Sequence, residues 1–298
     1  KELPSPPKRA LEIGGIGAPF SFAAMQHGAV ETLSIDRREL ALNHGADLCG
    51  HLGYPISIRT GDLRKIRALP IEGKWDLITL PHSLFALLDT QEGRINYIKR
   101  LLDLLTPDGH LLIVESSATE INREFLVLRD KVAEEGISIA APCLWKGNCP
   151  ALRKGSSPCF AQRPLEKPEL IKNIQRARNI NLSSLKMSYL LLRSPEAKEP
   201  VLQENLYRVV SPPVSTFRGE RFFLCGIPGK KTLGTTLKEH PKHSRAFEYL
   251  RRGDVISIED AASLENDLQV KEETKLTLDR KSTRLNSSHQ IISYAVFC

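Results

Sequence analysis

Three of the six cysteines lie close together in the chain. Cys143, Cys149 and Cys159 stand in a stretch rich in Gly, Pro, Lys and Ser, with five residues between the first two and nine between the last two. A cysteine that only fills space in a core is expected on an apolar face, so this setting indicates thiols that bind something. The cysteine pairs of zinc ribbons have two residues between them. The gaps of five and nine residues here are wider, which argues against a zinc ribbon.

A metal site would need a fourth ligand from another part of the chain. The run FFLCGIPGKK offers Cys225 at the junction between a predicted strand and a turn. The run EHPKH offers His240 and His243. Spacing alone leaves these alternatives open.

A nucleophilic cysteine is a different possibility. The pair Pro142 and Cys143 resembles the Pro-Cys pair of RNA cytosine-C5 methyltransferases, in which a thiolate attacks the pyrimidine ring. Such a role explains one cysteine and leaves Cys149 and Cys159 unexplained.

A second set of candidate residues forms a glycine-rich turn. The sequence EIGGIGAP places Glu12, Gly14, Gly15 and Gly17 directly after a predicted strand and before a predicted helix. Glycines at such a turn let the backbone approach a bound group and leave the first N–H groups of the helix free. The turn therefore predicts a cofactor site.

Acidic residues follow the next two predicted strands. Asp36 ends the second strand, where an acidic side chain binds ribose hydroxyls, and Asp62 follows the third. Together with the glycine turn, this order resembles class I S-adenosylmethionine-dependent methyltransferases, which implies S-adenosylmethionine as the cofactor. NAD is disfavoured, because the sheet is expected to continue into a methyltransferase-like sixth and seventh strand region.

The turn departs from the methyltransferase pattern in one respect. That pattern has an acidic residue followed by a glycine at every second position, but counting from Glu12 gives Gly14, Ile16 and Ala18. The glycines are out of phase. Either the turn is one residue shorter or cofactor binding has decayed.

Elements that could position these residues alternate along the first half of the chain. Short apolar runs predict strands at 9–13, 32–36, 56–59, 75–80, 110–115 and 137–141, and amphipathic runs predict helices at about 92–105 and 120–135. Such alternation is typical of an α/β fold with a doubly wound sheet like that of class I methyltransferases. His82 follows the fourth strand, but a lone histidine there is more often a packed or hydrogen-bonded residue. No catalytic residue is assigned.

The positive charge is concentrated in one segment. Residues 142–253 carry 21 Lys and Arg against 8 Asp and Glu, a net charge of +13, whereas 1–141 and 254–298 each carry −3. A surface that faces phosphates has this distribution, although a merely solvated basic face is the alternative. Few aromatic residues accompany the charge, which favours structured RNA over single strands and DNA. The basic residues expected on this surface are Lys167, Lys172, Arg176, Arg178, Lys230, Lys231, Lys238, Lys242, Arg245, Arg251 and Arg252.

Both ends of the sequence look cut. The first residue is not Met and no signal-peptide pattern follows, so we expect a fragment of a protein that is not exported and has no disulfide framework. Residues 279–298 resemble a translated sequencing adapter and are predicted to be an artefact. No run of eighteen apolar residues is present, so a membrane partner is not expected.

The cysteine stretch and the motifs after it resemble one family. Ala-Pro-Cys at 141–143, Cys-Pro at 149–150, Cys-Phe at 159–160, LKMSYLLL, FFLCGIPGK and RAFEYLRRGDVI are similar to the methyltransferase-like family associated with the small ribosomal subunit, of the Rsm twenty-two type. This resemblance implies that Cys143, Cys149, Cys159 and Cys225 bind a four-iron four-sulfur cluster, with zinc as the alternative. Leu144, Trp145 and Phe160 stand where the family has Pro, His and His, which would change the groups around the ligands.

The resemblance also implies a domain plan and a function. We expect a methyltransferase-like domain at 1–141, a cysteine-rich iron–sulfur segment at 142–200 and an OB-like β segment at 201–278. The preferred hypothesis is a factor for small-subunit assembly or translation that docks on ribosomal RNA, and the alternative is an active rRNA methyltransferase. The expected location is the bacterial cytoplasm, or the mitochondrial matrix in a eukaryote.

Overall fold

Alternating strands and helices form the first half of the protein. In this computed structural model, which describes residues 2–153, 158–201, 203–265 and 267–279, the strands are β1 Arg9–Ile13, β2 Glu31–Asp36, β3 Ser57–Thr60, β4 Trp75–Pro81, β5 Leu105–Ser116 and β6 Ile139–Ala141. The helices are α1 Pro19–Gln26, α2 Glu39–His51, α3 Leu84–Leu87, α4 Gln91–Leu102 and α5 Thr119–Glu134. All six predicted strands and both predicted helices are confirmed. Strand β1 matches its predicted bounds, and the bounds of the others differ by at most five residues.

One sheet contains these strands and two later ones. Its order is β3-β2-β1-β4-β5-β8-β6, where β8 (Ser184–Arg193) runs antiparallel to both neighbours and β7 (Ala161–Pro164) pairs with β8. Strands β1 to β5 are parallel to one another. A doubly wound sheet with an antiparallel strand next to its last strand is the class I methyltransferase fold. The predicted fold class is therefore confirmed.

The larger core cluster of this domain lies on one face of the central strands, where Leu11 and Ile13 of β1 and Ile78 and Leu80 of β4 are fully buried. A smaller cluster that includes Ala10 and Leu77 lies on the other face, because parallel strands covered by helices have no solvent face. Helices α4 and α5 place their apolar faces on the same core. The carboxyl ends of β1, β2 and β4 are thereby fixed at one edge of the sheet.

Residues 142–183 form an excursion between β6 and β8, and within it only β7 pairs with the first sheet among the described residues. This excursion carries the three clustered cysteines, a single turn at Pro150–Leu152, β7, and helix α6 (Glu169–Arg178), all of whose residues are at least partly exposed. The prediction of a separate cysteine-rich domain at 142–200 stays a prediction. Both ends of the excursion are anchored in the first sheet.

A second sheet forms the C-terminal part. Its strands are β9 Leu206–Val209, β10 Val214–Thr216, β11 Gly219–Gly226, β12 Gly229–Thr235, β13 Val255–Glu259, β14 Ala262–Leu264, β15 Asp267–Val270 and β16 Lys275–Leu278. The path of pairings is β14-β15-β12-β11-β9-β13-β16, with β10 beside β11. Phe222, Leu224 and Phe247 belong to its own buried core. The OB-like barrel stays a prediction.

Two sequence expectations concern other parts of the chain. Within the described ranges, the structure contains no helix with the length and apolar character of a membrane span. The expected artefact begins at Asp279, whose backbone N–H donates to the Val255 carbonyl at 2.9 Å, and the rest of it lies outside the described residues.

Two glycines of α2 test how tightly this helix packs on the glycine turn. A Cβ on Gly45 would lie 2.4 Å from the Gly17 carbonyl oxygen, whereas a Cβ on Gly50 would meet nothing within 4 Å. We expect Gly45→Ala to lower the free energy of unfolding by about 1 to 3 kcal/mol through overpacking. Gly50→Ala, the matched control, should raise it by up to about 1 kcal/mol, because alanine favours helix. Urea unfolding measures both, and equal effects would contradict this packing.

Candidate functional site

A cavity of about 250 Å³ lies at the carboxyl edge of the first sheet. It is bounded by the glycine turn, the ends of β2 and β4, and the loop after β3. Four of the six predicted cofactor residues line it, namely Gly14, Gly15, Asp36 and Asp62. The predicted cofactor position is therefore a real cavity at the place where doubly wound sheets bind ligands.

Glu12 lies under the turn rather than in the cavity. Its carboxylate is 1% exposed, and Oε2 accepts the Ser21 N–H at 2.7 Å, which ties β1 to α1. Gly15 must be a glycine here, because a Cβ at that position would lie 1.6 Å from Glu12 Oε1. Burial raises the pKa of Glu12 to about 7, against the lowering effect of the bond from Ser21. Glu12 thus shapes the turn and does not line the cavity, and its role at the cofactor stays a prediction.

Asp36 is occupied by its own neighbour. Arg38 Nε donates to Asp36 Oδ1 and Arg38 Nη2 to Oδ2, both at 2.9 Å, and the Arg38 backbone N–H also donates to Oδ1 at 2.9 Å. Burial would raise the pKa of Asp36, but the Arg38 guanidinium overrides it and holds the pKa below its usual range. The oxygens expected to take ribose hydroxyls are therefore engaged within the chain.

The out-of-phase glycines have a visible consequence. Ala18, at the third glycine position of the methyltransferase pattern, has a φ of 56°, in the left-handed region that favours glycine. Ile16, at the second position, is 59% exposed and lines the cavity. An isoleucine side chain therefore lies at the cavity where the methyltransferase pattern has a glycine. Gly17 has a φ of 75° and does not line the cavity.

His82 lines the same cavity at the end of β4. Its φ is 49°, a conformation that is uncommon for residues other than glycine and is often found at functional sites. Burial lowers the pKa of its imidazole, which favours the neutral form. The sequence did not support a catalytic assignment for His82, and no contact in the structure adds one.

A second cavity brings together the four cysteines predicted as ligands. Cys143, Cys149 and Cys159 come from the excursion and Cys225 from β11, and all four line one cavity of about 70 Å³. All four are free thiols. The sequence separates Cys225 from the others by more than sixty residues, so the fold has brought it to them.

Helix α5 fixes the first part of the cysteine-bearing loop. Arg129 is 1% exposed and donates to the carbonyl oxygens of Trp145 and Gly147. Its neighbour Asp130 accepts the Cys149 N–H with both carboxylate oxygens at 2.9 Å. The methyltransferase-like domain therefore sets the position of the loop that carries Cys143 and Cys149.

Cys159 and Cys225 are fixed by other elements. Asn122 of α5 donates to the Cys159 carbonyl and to Ser188 Oγ, both at 2.8 Å. Cys225 of β11 lies opposite Arg208 of β9 in the antiparallel pairing of these two strands. Arg208 in turn donates to both carboxylate oxygens of Glu2, at 3.0 and 3.3 Å.

The thiols influence one another electrostatically. Burial, together with a smaller electrostatic contribution from Cys143, raises the pKa of Cys149 to about 11 and the pKa values of Cys159 and Cys225 to about 12. Without a bound cation these three thiols are therefore protonated at neutral pH. Metal binding at such a site releases protons and stabilises the fold around it.

The donor set suits a group that takes four thiolates, but the arrangement is not that of a formed single-ion site. Among the described residues, no group of three or more His, Cys, Asp or Glu side chains could hold a metal ion as it stands. Charge around the cavity is nevertheless favourable, since Arg129 and Arg208 interact with Cys143 and Arg252 with Cys159. Four thiolates in this cavity would therefore lie near the positive charges of these three arginines.

Several of the predicted basic residues make contacts within the protein. Arg252, which is partly exposed, stacks over the Phe160 ring at 4.1 Å and lines the cysteine cavity. Lys172 and Arg176 both form ion pairs with Glu169. The predicted basic residues that are exposed are Lys172, Arg176, Arg178, Lys238, Lys242, Arg245 and Arg251.

Sequence reasoning missed the residues that hold the cysteines. Asn122 and Arg129 are buried on α5, seven positions apart and therefore on one face of the helix. Polar residues on an otherwise apolar helix face were the available signal. Arg208 gave no signal, because its partner Glu2 is distant in sequence.

Comparison with known families gives one match. The family described as mitochondrial small ribosomal subunit Rsm22 matches residues 5–256, most of the chain. The chain belongs to this Rsm22 family. The suspected resemblance is thereby confirmed, and with it a ribosome-related family whose fold here is that of a methyltransferase.

Other comparisons add little to the Rsm22 assignment. No curated protein matches the chain in sequence. The N-methyltransferase NodS from Bradyrhizobium japonicum WM9, in complex with S-adenosyl-L-homocysteine, is similar in structure with a TM-score of 0.42 and 15% identity, covering 64% of this chain and 79% of that one. TehB from Haemophilus influenzae is similar with a TM-score of 0.40 and 16% identity, and the match covers 64% of this chain and 58% of TehB. An rRNA methylase from Streptococcus thermophilus is similar with a TM-score of 0.34 and 14% identity, and the match covers 63% of this chain and 87% of that one. Because these scores are low, the fold assignment depends on the strand order.

Glu12 predicts a pH dependence of stability. Its pKa is about 7 when folded against an ordinary value of 4.5, so the folded state binds its proton more tightly. The contribution of Glu12 is therefore fully present below pH about 4.5 and is lost as the pH rises to about 7. We expect Glu12→Gln to gain up to about 3 kcal/mol relative to the wild type between pH 4.5 and 8. Urea unfolding across this range measures the difference, and a pH-independent difference would refute a buried, proton-binding Glu12.

Proposed function

We propose that this Rsm22-family chain is a factor for small-subunit assembly or translation that docks on ribosomal RNA, with a four-iron four-sulfur cluster bound by Cys143, Cys149, Cys159 and Cys225. The observation that carries the proposal is the convergence of these cysteines, from the excursion and from β11, at one cavity. The family name supplies the ribosomal connection. The methyltransferase fold then serves as a scaffold.

The chemistry of the cavity supports a four-thiolate group. Cubane iron–sulfur clusters take four cysteine thiolates, and the four thiols here are free and face one cavity. A cluster at this place would cross-link the excursion to the second sheet. The free energy of metal binding would then add to the folding free energy of the basic segment.

The exposed charge of the same segment supports RNA docking. Lys238, Lys242, Arg245 and Arg251 are exposed in the connection between β12 and β13. Contacts between such residues and phosphates release counterions, which gives affinity without reading sequence. The proposed location follows the family, in mitochondria or in the cytoplasm of a bacterium.

Removing the distant ligand tests the link between cluster and docking. We expect Cys225→Ser to lose most of the iron and sulfide, about four of each per chain in the wild type, and to bind small-subunit rRNA at least about tenfold more weakly, because the basic segment is no longer tied down. Iron and sulfide analysis on protein purified without oxygen, and RNA binding against salt concentration, are the measurements.

Cys49→Ser is the control for this experiment. Cys49 is buried in α2 and does not line the cysteine cavity, so its variant should keep iron and RNA binding. Stoichiometric zinc without iron, or full iron in Cys225→Ser, would overturn the ligand assignment. An RNA affinity that does not change with salt would overturn the docking surface.

Methyl transfer to rRNA is the second candidate, and the cavity at the glycine turn favours it. S-adenosylmethionine bound there would supply an electrophilic methyl group, with Gly14 and Gly15 against the ligand and Asp36 at the ribose. Against it stand Ile16, which lines the cavity, and the Arg38 side chain, which holds both oxygens of Asp36. These two features are the reason to prefer the scaffold.

Freeing Asp36 tests this preference. If Arg38 competes with the ribose, Arg38→Gln should bind S-adenosylhomocysteine about tenfold more tightly than the wild type, equivalent to about 1.4 kcal/mol. Arg37→Gln, at a neighbouring cavity position, should leave the affinity unchanged. Calorimetric titration measures both. Tight binding by the wild type, accompanied by methyl transfer to immature small subunits that Asp36→Asn abolishes, would establish the enzyme and refute the scaffold.

A further inference from the structure

Two buried arginines reach the cysteine cavity from opposite parts of the fold. Arg129 of α5 is 1% exposed and Arg208 of β9 is 6% exposed, and both line the cavity with the four cysteines. A buried guanidinium is costly unless all its donors and its charge are matched. The hydrogen bonds of each arginine therefore show what is still missing around it.

Most donors of the two arginines have partners. Arg129 uses its Nη atoms for Asp130 and for the carbonyl oxygens of Trp145 and Gly147. Arg208 uses its Nη atoms for Glu2 and for the Gly253 carbonyl at 2.9 Å. The carboxylates are thus on the Nη side of both guanidinium groups.

One donor of each arginine is left over. Arg129 Nε and Arg208 Nε are both buried and have no hydrogen-bond acceptor among the residues that the structure describes. An N–H buried without an acceptor costs about 1 to 3 kcal/mol. Both arginines line the cavity and interact electrostatically with Cys143, so their unmatched donors are consistent with an acceptor-rich, negatively charged occupant held by the cysteines.

We propose that Arg129 and Arg208 are positioning residues that donate their Nε–H groups to the cluster and its thiolates and raise its reduction potential. This inference rests on the proposed cluster. Four thiolates and an oxidised cubane core of charge +2 carry −2 in total, and one added electron makes −3. Nearby positive charge and N–H donors stabilise the more negative, reduced state, which hydrogen bonds to the sulfurs are known to tune.

Glu2 makes the sign of the effect testable. Its carboxylate compensates the Arg208 charge, so Glu2→Gln leaves Arg208 more strongly positive at the cavity. Arg208→Gln removes the charge. The two substitutions act on one ion pair and should shift the potential in opposite directions, which a general loosening of the fold would not do.

The experiment is a potentiometric titration of the cluster-loaded full chain, in which dithionite supplies one electron per cluster and visible absorbance follows reduction. We expect Arg129→Gln and Arg208→Gln to disfavour the reduced state about tenfold, a fall of about 59 mV for a one-electron couple. Glu2→Gln should raise the potential. Arg94→Gln removes a buried, ion-paired arginine that does not line the cavity and should leave the potential unchanged.

The outcomes distinguish the role of the arginines from the proposed binding of the cluster. A wild type that binds no iron refutes the cluster, whatever the arginines do. A loaded wild type with unchanged potentials in Arg208→Gln and Glu2→Gln, or with both shifted the same way, refutes the role of the arginines alone. If Arg129→Gln fails to load because its loop is lost, the Arg208 and Glu2 variants still decide the question.

Discussion

The ion pair between the buried Arg208 and the partly exposed Glu2 is the constraint that links the two sheets of this structure. It joins the first strand of the second sheet to the segment before β1, and Tyr189 of β8 donates to the same Glu2 oxygen at 3.2 Å. Buried charges of this kind fix geometry even where they add little net stability. Cys225 lies opposite Arg208 across β9 and β11, so the strand that carries this ion pair also flanks the fourth thiol.

The first sheet supports two sites by different means. At the glycine turn it uses strand ends, as doubly wound folds do, and the chemistry depends on which side chains point into the cavity. At this edge Ile16 lines the cavity and Arg38 holds Asp36, so the binding groups depend on side chains that the strand order does not set. At the cysteines the sheet contributes rigid carriers, α5 and β8, and the chemistry is supplied by the loop held on them. Fold and function are separable in both places.

Sequence reasoning succeeded where local pattern decides the outcome. The strands at 9–13 and 75–80 follow from apolar runs, and the position of Asp36 follows from the rule that parallel strands end at one edge. The grouping of Cys225 with the other cysteines came from family resemblance, since loop spacing says nothing about a partner so far along the chain. The Arg38–Asp36 bond and the Arg208–Glu2 pair were beyond prediction, because each depends on rotamers and long-range packing that no periodic pattern records.

The place of β8 in the first sheet has a consequence for the order in which the chain is made. The sheet cannot close until residues 184–193 have left the ribosome, since β8 lies between β5 and β6. By then three of the four thiols have already emerged, but Cys225 follows Cys159 by 66 residues. At ordinary rates of synthesis this delay is about 3 to 13 s. The nascent protein thus carries three of the four ligands before the second sheet, which brings both Arg208 and Cys225, is made.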